Sequence, residues 1–543
     1  MRSLKNIALV AALFAGTVGW AEQAQQIPVD QVIDRIMQRE NQEAALLRQY
    51  SPTIETYVQD MRADKDSSAA AATDHYFLGR ASLGEGGVQG GDNPKSKKGG
   101  KHKGEKLGGL SGVFPRESVL DGFLQMVYVD PKGFDRLHYR LNYVRREFLG
   151  EVRCLAFDVT PVEGKNHGQF LGRIWVEDQD YTIVRIEGTH DSQRAKGNRL
   201  HFDSWRVNTA PGVWVPAYIY SAESDVHDLM SSQVRFRAQT RLWGYNAKPE
   251  TDEDRSQTES QRARGREAED NAMDRLAASN LLAPDGEVDK ILSTVVNNLE
   301  VSNNLDIQPE VVCRVLLTST LESFTIGHTV VISRGLLDVL PDEASLATVL
   351  AHELGHVLSA HQVVDPWTFN NWNPFPSEGN FRHFDFPINQ PEEDAANQKA
   401  MELLKNSPYK DKLANAGRFL QLVASHAQSL PNLVSPHLNS RAALANQMPG
   451  TALRGGTSLN AASRNAANRD DLVAALPFGS RIKLDPWTDQ ITVLKAKPVA
   501  LLEGSEQQPF QVGPYMPYLY RLSASGGSKQ VKPVSKKGSG GER

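Results

Sequence analysis

Residues 335–361 read GLLDVLPDEASLATVLAHELGHVLSAH, and the way this stretch folds decides how the chain around it is built. Leu346, Val349, Leu350, Leu354, Val357 and Leu358 recur at helical spacing, and Asp342 after Pro341 is a fitting N-cap. The segment is therefore helical on grounds that do not involve its histidines. At ~3.6 residues per turn, His352 and His356 stand one turn apart on the same face, with imidazoles able to converge on one ion. Glu353 sits one step round the helix, where it reaches a water at that ion rather than the ion itself. His361 lies about 900° beyond His352 at ~100° per residue, on the opposite side, and is excluded from the same site.

With 14 histidines in the chain, an HExxH match arises by chance in on the order of a few per hundred such sequences. The test is a third ligand, because catalytic zinc usually takes three protein groups and keeps a fourth position open. No histidine follows at the short fixed spacing of the metzincins. Residues 390–404 read QPEEDAANQKAMELL, where Glu392, Glu393 and Asp394 open an amphipathic helix. A carboxylate there would complete a two-His, one-Glu site. Three acids at a helix start are also explained by the helix dipole alone, so these residues by themselves leave both readings open.

GLLDVLPDEASLATVLAHELGHVLSAH followed by EEDAANQKAMELL resembles the HtpX and CAAX-prenyl-protease family of gluzincin zinc metallopeptidases, over roughly residues 285–445. Matching Ala396, Ala400 and the following Glu-Leu-Leu places that family's ligand glutamate on Glu393. The resemblance implies one Zn2+ held by His352, His356 and Glu393, with Glu353 as general base. Three departures stand out. The family's second-shell aspartate is Asn397 here, which still accepts an imidazole hydrogen bond but brings no charge to raise ligand basicity. On the substrate-side edge strand, where relatives carry Asn-Ala-Phe and then Pro-Gly-Gly, this chain has Glu322, Phe324 and Gly327 at the matching places. In SPHLNSR, residues 435–441, Pro436 and Arg441 match a family segment, Ser435 replaces its histidine, and His437 lies two residues on. His437 or Arg441 is expected to stabilise the oxyanion. Residues 363–389, rich in Trp, Phe, Asn and Pro, read as an insertion beside the site and a candidate lid.

Outward from this core, Arg2 and Lys5 precede an apolar run from Ile7 to Val18, with Gly19 and Ala21 at the positions a signal peptidase reads. Residues 1–21 are expected to be a cleaved export signal, since the run is short of the ~20 apolar residues that span a bilayer. Residues 22–83 read as a helical segment, and 84–112 as a Gly- and Lys-rich flexible linker. Residues 113–246 alternate, as in GRIWVEDQDYTIVRIEG, and predict an antiparallel sheet with one face packed and one wetter. This segment resembles the curved-sheet, LolA-like lipoprotein carriers in pattern. Residues 247–280 read as a charged, solvated linker helix or bridge, 281–455 as the metallopeptidase domain, 470–522 as a small β module and 523–543 as a disordered tail. Cys154 and Cys313 read as two free buried thiols, with an interdomain bridge between them as the alternative.

The expected fold class is α+β: a helical zincin-type domain with a short edge sheet, behind an antiparallel curved-sheet domain. A net charge of -5 gives no general attraction to nucleic acid. The expected activity is that of an exported zinc endopeptidase acting on protein or peptide substrates, with envelope protein quality control as the role the family implies. A peripheral membrane or lipoprotein contact is compatible with it. Two other classes remain: a non-catalytic chaperone or acyl-chain-binding protein with a degenerate zinc site, and a zinc hydrolase of a non-peptide bond.

Overall fold

The computed structural model describes residues 28–62, 70–83, 87–89, 123–162, 170–190, 198–225, 234–246, 266–360, 384, 388–448, 481–494 and 510–522. The export signal, His361, most of the 363–389 insertion and the 523–543 tail lie outside the described residues. The fold is α+β.

Ten strands form one antiparallel sheet. A meander runs through β4 (Tyr139–Leu149), β5 (Val152–Pro161), β6 (Phe170–Glu177), β7 (Ile183–His190), β8 (Asn198–Ala210), β9 (Val213–Asp225) and β10 (Val234–Trp243). On the far side of β10 the sheet continues with β1 (Thr53–Arg62), β2 (Ala70–Ser82) and β3 (Gly87–Gln89). The expectation of a helical segment over residues 22–83 therefore fails beyond its first helix, α1 (Val29–Leu47). In β1 the residues Ile54, Thr56 and Val58 alternate with Glu55, Tyr57 and Gln59, a period-two pattern with β-branched residues that suits a strand. β3 likewise places ordered strand inside the stretch read as linker.

The face expected to be wetter carries the partly exposed Asp158 and the exposed His201 but also a second core. Leu155, Phe157, Ile174, Ile186 and Val215 point into a core beneath α1 and residues 123–134. The alternate residues Cys154, Ala156, Trp175, Trp205 and Trp214 form a second core on the other face, which Leu519 closes. α1 is anchored by a buried ion pair in which both terminal nitrogens of Arg206 donate to Glu40 at 2.7 Å. Cys154 and Cys313 are free and buried, and burial pushes both thiols up to about 12.

The second unit holds α2 (Arg266–Ala278), α3 (Glu287–Ser302), β11 (Val312–Leu316), β12 (Ser323–Ile326), β13 (Thr329–Ser333), α4 (Arg334–Val339) and α5 (Glu343–Leu358). It continues with α6 (Gln390–Lys405), α7 (Leu413–His426), α8 (Pro436–Ser440) and α9 (Ala442–Ala445). Its three-stranded sheet has the order β11-β13-β12, with β12 antiparallel to β13. α2, read from sequence as solvated, buries Ala272 and Leu276, and Glu269 accepts hydrogen bonds from His328 N and Thr329 Oγ1. Its charges conceal an apolar stripe that docks.

Of the expected 470–522 β module, residues 481–494 and 510–522 are described. Among the described residues, 481–494 form one short hairpin of β14 (Ile482–Leu484) and β15 (Ile491–Val493), wedged between the two units. Asp338 Oδ1 accepts from Arg481 N and Ile482 N, and Asp489 Oδ1 accepts from Gly244 N. Residues 510–522 cross the sheet as an extended strap, bonded to Gln59, Tyr218 and Asn208.

Candidate metal centre

α5 is almost wholly buried, so it is apolar on nearly every side and runs through the middle of its domain. Its start is fixed by Asp342, whose side chain accepts from Ser345 N at 2.8 Å. Against this apolar background the buried polar groups are few, and each has to be satisfied.

α6 crosses α5 closely because Gly355 has no side chain. A Cβ there would stand 2.7 Å from Ala396 O and 3.0 Å from Ala396 Cα. That approach puts Glu393, in the first turn of α6, against the two histidines. His352 Nε2 lies 3.5 Å and His356 Nε2 lies 3.7 Å from the Glu393 carboxylate oxygens. One ligand atom from each of the three residues falls within 4.8 Å of the others, and all three residues are buried.

Protonation fits a cation. His352 Nδ1 faces Asn397 Oδ1 at 2.9 Å, which makes Nδ1 the donor and leaves the Nε2 lone pair turned to Glu393 and His356. Desolvation lowers the pKa of His352, helped by the Arg441 charge, and lowers that of His356 to about 4. Burial opposes ionisation of Glu393, yet the adjacent imidazoles of His352 and His437 and the Arg441 charge hold its carboxyl well below the usual range. Two neutral imidazoles and one carboxylate are the states in which these groups ligate a metal. The two Nε2 atoms meet at 3.1 Å, a repulsive contact of lone pairs unless a cation or proton lies between them. The donor set thus fits a divalent metal of the zinc type, which takes imidazole and carboxylate ligands.

Glu353 is held from β12 and α8. Ser323 Oγ donates to its Oε1 at 2.8 Å and Thr325 Oγ1 to its Oε2 at 2.7 Å. Arg441 forms an ion pair with Glu353 and donates to Ser323 Oγ at 2.7 Å. Burial works against the charge on Glu353, but Arg441 prevails and its pKa is lowered. His437 Nδ1 lies 3.1 Å from Glu393 Oε1, and Ser440 Oγ donates to Glu393 Oε2 at 2.7 Å. Ser323, Thr325 and Ser440 had no signal in the sequence beyond Ser323 replacing the alanine of the relatives' Asn-Ala-Phe.

Glu322 and Phe324, at the first and third places of the edge-strand motif, are both buried beside the site. The Glu322 carboxyl is pushed up to about 7 by desolvation, and Thr320 donates to it. The Phe324 ring packs against Phe384 at 5.4 Å, so one described residue of the insertion touches β12. Gly327 has φ +60°, and a Cβ there would strike the Glu269 carboxylate.

Residues 283–368 match the Peptidase family M48 model. No curated protein matches the chain. The M48 match runs from α3 through both histidines of α5 and stops short of Glu393. It supports a metallopeptidase function for this domain, a class that acts on protein or peptide substrates and depends on a metal. The cluster of His352, His356 and Glu393 supplies the place for that metal.

Proposed function

We propose that the chain is an exported zinc-dependent endopeptidase of the HtpX-like kind, working on misfolded or misassembled envelope proteins. The observation that carries the reading is the convergence of His352, His356 and Glu393 within 4.8 Å on buried helices, with Glu353 next to them in the chain. His352, His356 and Glu393 would hold the zinc, with Asn397 orienting His352. Bound there, zinc supplies Lewis acidity toward water and the scissile carbonyl.

The protein's own part is proton transfer and alignment. Glu353, kept ionised by Arg441, takes a proton from the attacking water and returns it to the leaving amine. Arg441, Ser323 and Thr325 fix the direction of that carboxylate, while His437 and Ser440 orient Glu393. Among the described residues β12 is the outer strand of its sheet, and substrate binding as an added strand along it belongs to this proposal. Export rests on the pattern of residues 1–21, and no described helix is long and apolar enough to cross a membrane. The carrier alternative needs apolar space on the large sheet, but the face under α1 is filled by Ile36, Met37, Phe123 and Val127.

Metal analysis with a casein-cleavage assay tests the proposal on the full chain and on Glu353→Gln. One zinc per chain is expected in both proteins, with peptide products identified by mass spectrometry only from the parent. Equal cleavage by the variant would end the mechanism, and cleavage of ester or amide probes without peptides would favour a non-peptide hydrolase.

A further inference from the structure

We propose that the β1–β2 hairpin of the large sheet is a positioning element of the peptidase site, acting through Glu55 and Asp74 on the two loops that lead into it. The proposal rests on the metallopeptidase reading above. The hairpin presents one face to the core under α1, with Ile54, Val58 and Phe77. Its other face carries Glu55, Tyr57 and Gln59, paired in register with Leu78, Tyr76 and Asp74, and turns to the peptidase unit.

Two carboxylates on this second face grip backbone. Glu55 accepts from Ser319 N at 2.5 Å, Ser319 Oγ at 2.6 Å, Arg334 at 3.0 Å and Tyr76 at 2.7 Å. The loop it holds, residues 317–322, wraps so tightly on α4 that a Cβ on Gly335 would fall 2.0 Å from Ser319 O. It runs directly into β12, which carries Ser323 and Thr325. Asp74 accepts from Asn432 N at 3.1 Å, while Asn432 Nδ2 donates to both its carboxylate and its backbone carbonyl. The loop around Asn432 runs into α8, which carries His437 and Ser440 ahead of Arg441.

The two loops are also joined to each other. Leu321 N donates to Leu433 O at 2.7 Å and Ser435 N to Leu321 O at 3.1 Å. All the hydroxyl and guanidinium groups that aim Glu353 and Glu393 therefore leave from one zipped pair of loops, and that pair is pinned to the sheet. An interface needing adhesion alone is served by apolar contacts such as Leu78. Buried carboxylates aimed at loop N–H groups do something different, because they are tolerated only while their donors keep their places. Glu55 and Asp74 thus fix where the loops stand, and a change in the sheet reaches Glu353 through them.

The test uses the full chain, zinc-loaded for kinetics and metal-free for amide hydrogen exchange. It compares Asp74→Ala, Asp74→Asn, Glu55→Gln and the apolar interface control Leu78→Ala. Asp74→Ala is expected to lower kcat on casein about tenfold with KM and zinc content unchanged, as small misplacements of catalytic groups do. Asp74→Asn keeps an acceptor oxygen and should recover most of that loss. Residues 430–435 should exchange faster in Asp74→Ala, and residues 317–322 in Glu55→Gln, but neither loop in Leu78→Ala. The proposal is overturned if the Asp74 and Glu55 variants match the parent, or if Leu78→Ala at equal loss of stability lowers kcat as much. Should the parent show no zinc-dependent cleavage, the peptidase reading fails, and the exchange arm alone decides whether the hairpin holds the loops.

Discussion

Asn397 shows how much one atom can decide at this site. Its Oδ1 holds the His352 ring, but its Nδ2 is buried and finds no hydrogen-bond partner among the described residues. An aspartate would replace that stranded donor by a second acceptor and raise the basicity of the imidazole. Asn397→Asp is therefore expected to bind zinc about tenfold more tightly, and Asn397→Ala about tenfold more weakly. Competition against a chromophoric chelator measures both, and equal affinities in all three proteins would contradict the idea. His352, Glu353 and His356 were legible because helical phase places them on their own. Glu393 needed the resemblance, since nothing local separates it from Glu392 or Asp394. Ser323, Thr325 and Ser440 were not legible, because a serine that orients a carboxylate from another element carries no local pattern.

Among the elements, the α5–α6 crossing is the one on which the metal centre depends. Gly355→Ala would drive a methyl into the backbone at Ala396, and backbone cannot swing aside as a side chain can. Overpacking of this kind costs roughly 1–3 kcal/mol, and here it would also move Glu393 away from the histidines. Denaturant unfolding should show the loss, and zinc titration should show weaker binding than stability alone predicts; full zinc affinity would mean that the helices re-pack without harm. α5 was readable because its stripe is long and its cap is local. β1 was misread because both its faces are buried: Glu55 and Gln59 look like a solvent face, yet they serve an interface between units.

For the whole molecule, pH reports on buried carboxyls outside the metal centre. Asp489 in the wedged hairpin and Glu322 are each pushed up to about 7, mainly by desolvation. In an unfolded chain such groups titrate near ~4. Between about pH 4 and 7 the folded protein holds the extra protons, so these groups make stability fall as pH rises through that window and level off above it. Asp489→Asn, which tolerates the positive φ of 58° at that position, should flatten the decline. Denaturation midpoints at pH 5 and pH 7 for parent and variant measure the difference; an unchanged slope would remove Asp489 from this role.

The strap of residues 510–522 also sets a schedule. β1 is translated early and pairs first with β2, but its other partners arrive in succession: β10, then Ser319 and Arg334, and last Phe510 and Val512. Closing loops of that length costs chain entropy that only the finished contacts offset. A nascent chain that has made its HExxH helix therefore still lacks the strap that closes the Trp-rich core and binds Gln59, so the last contacts of β1 form only after the peptidase unit has been synthesised.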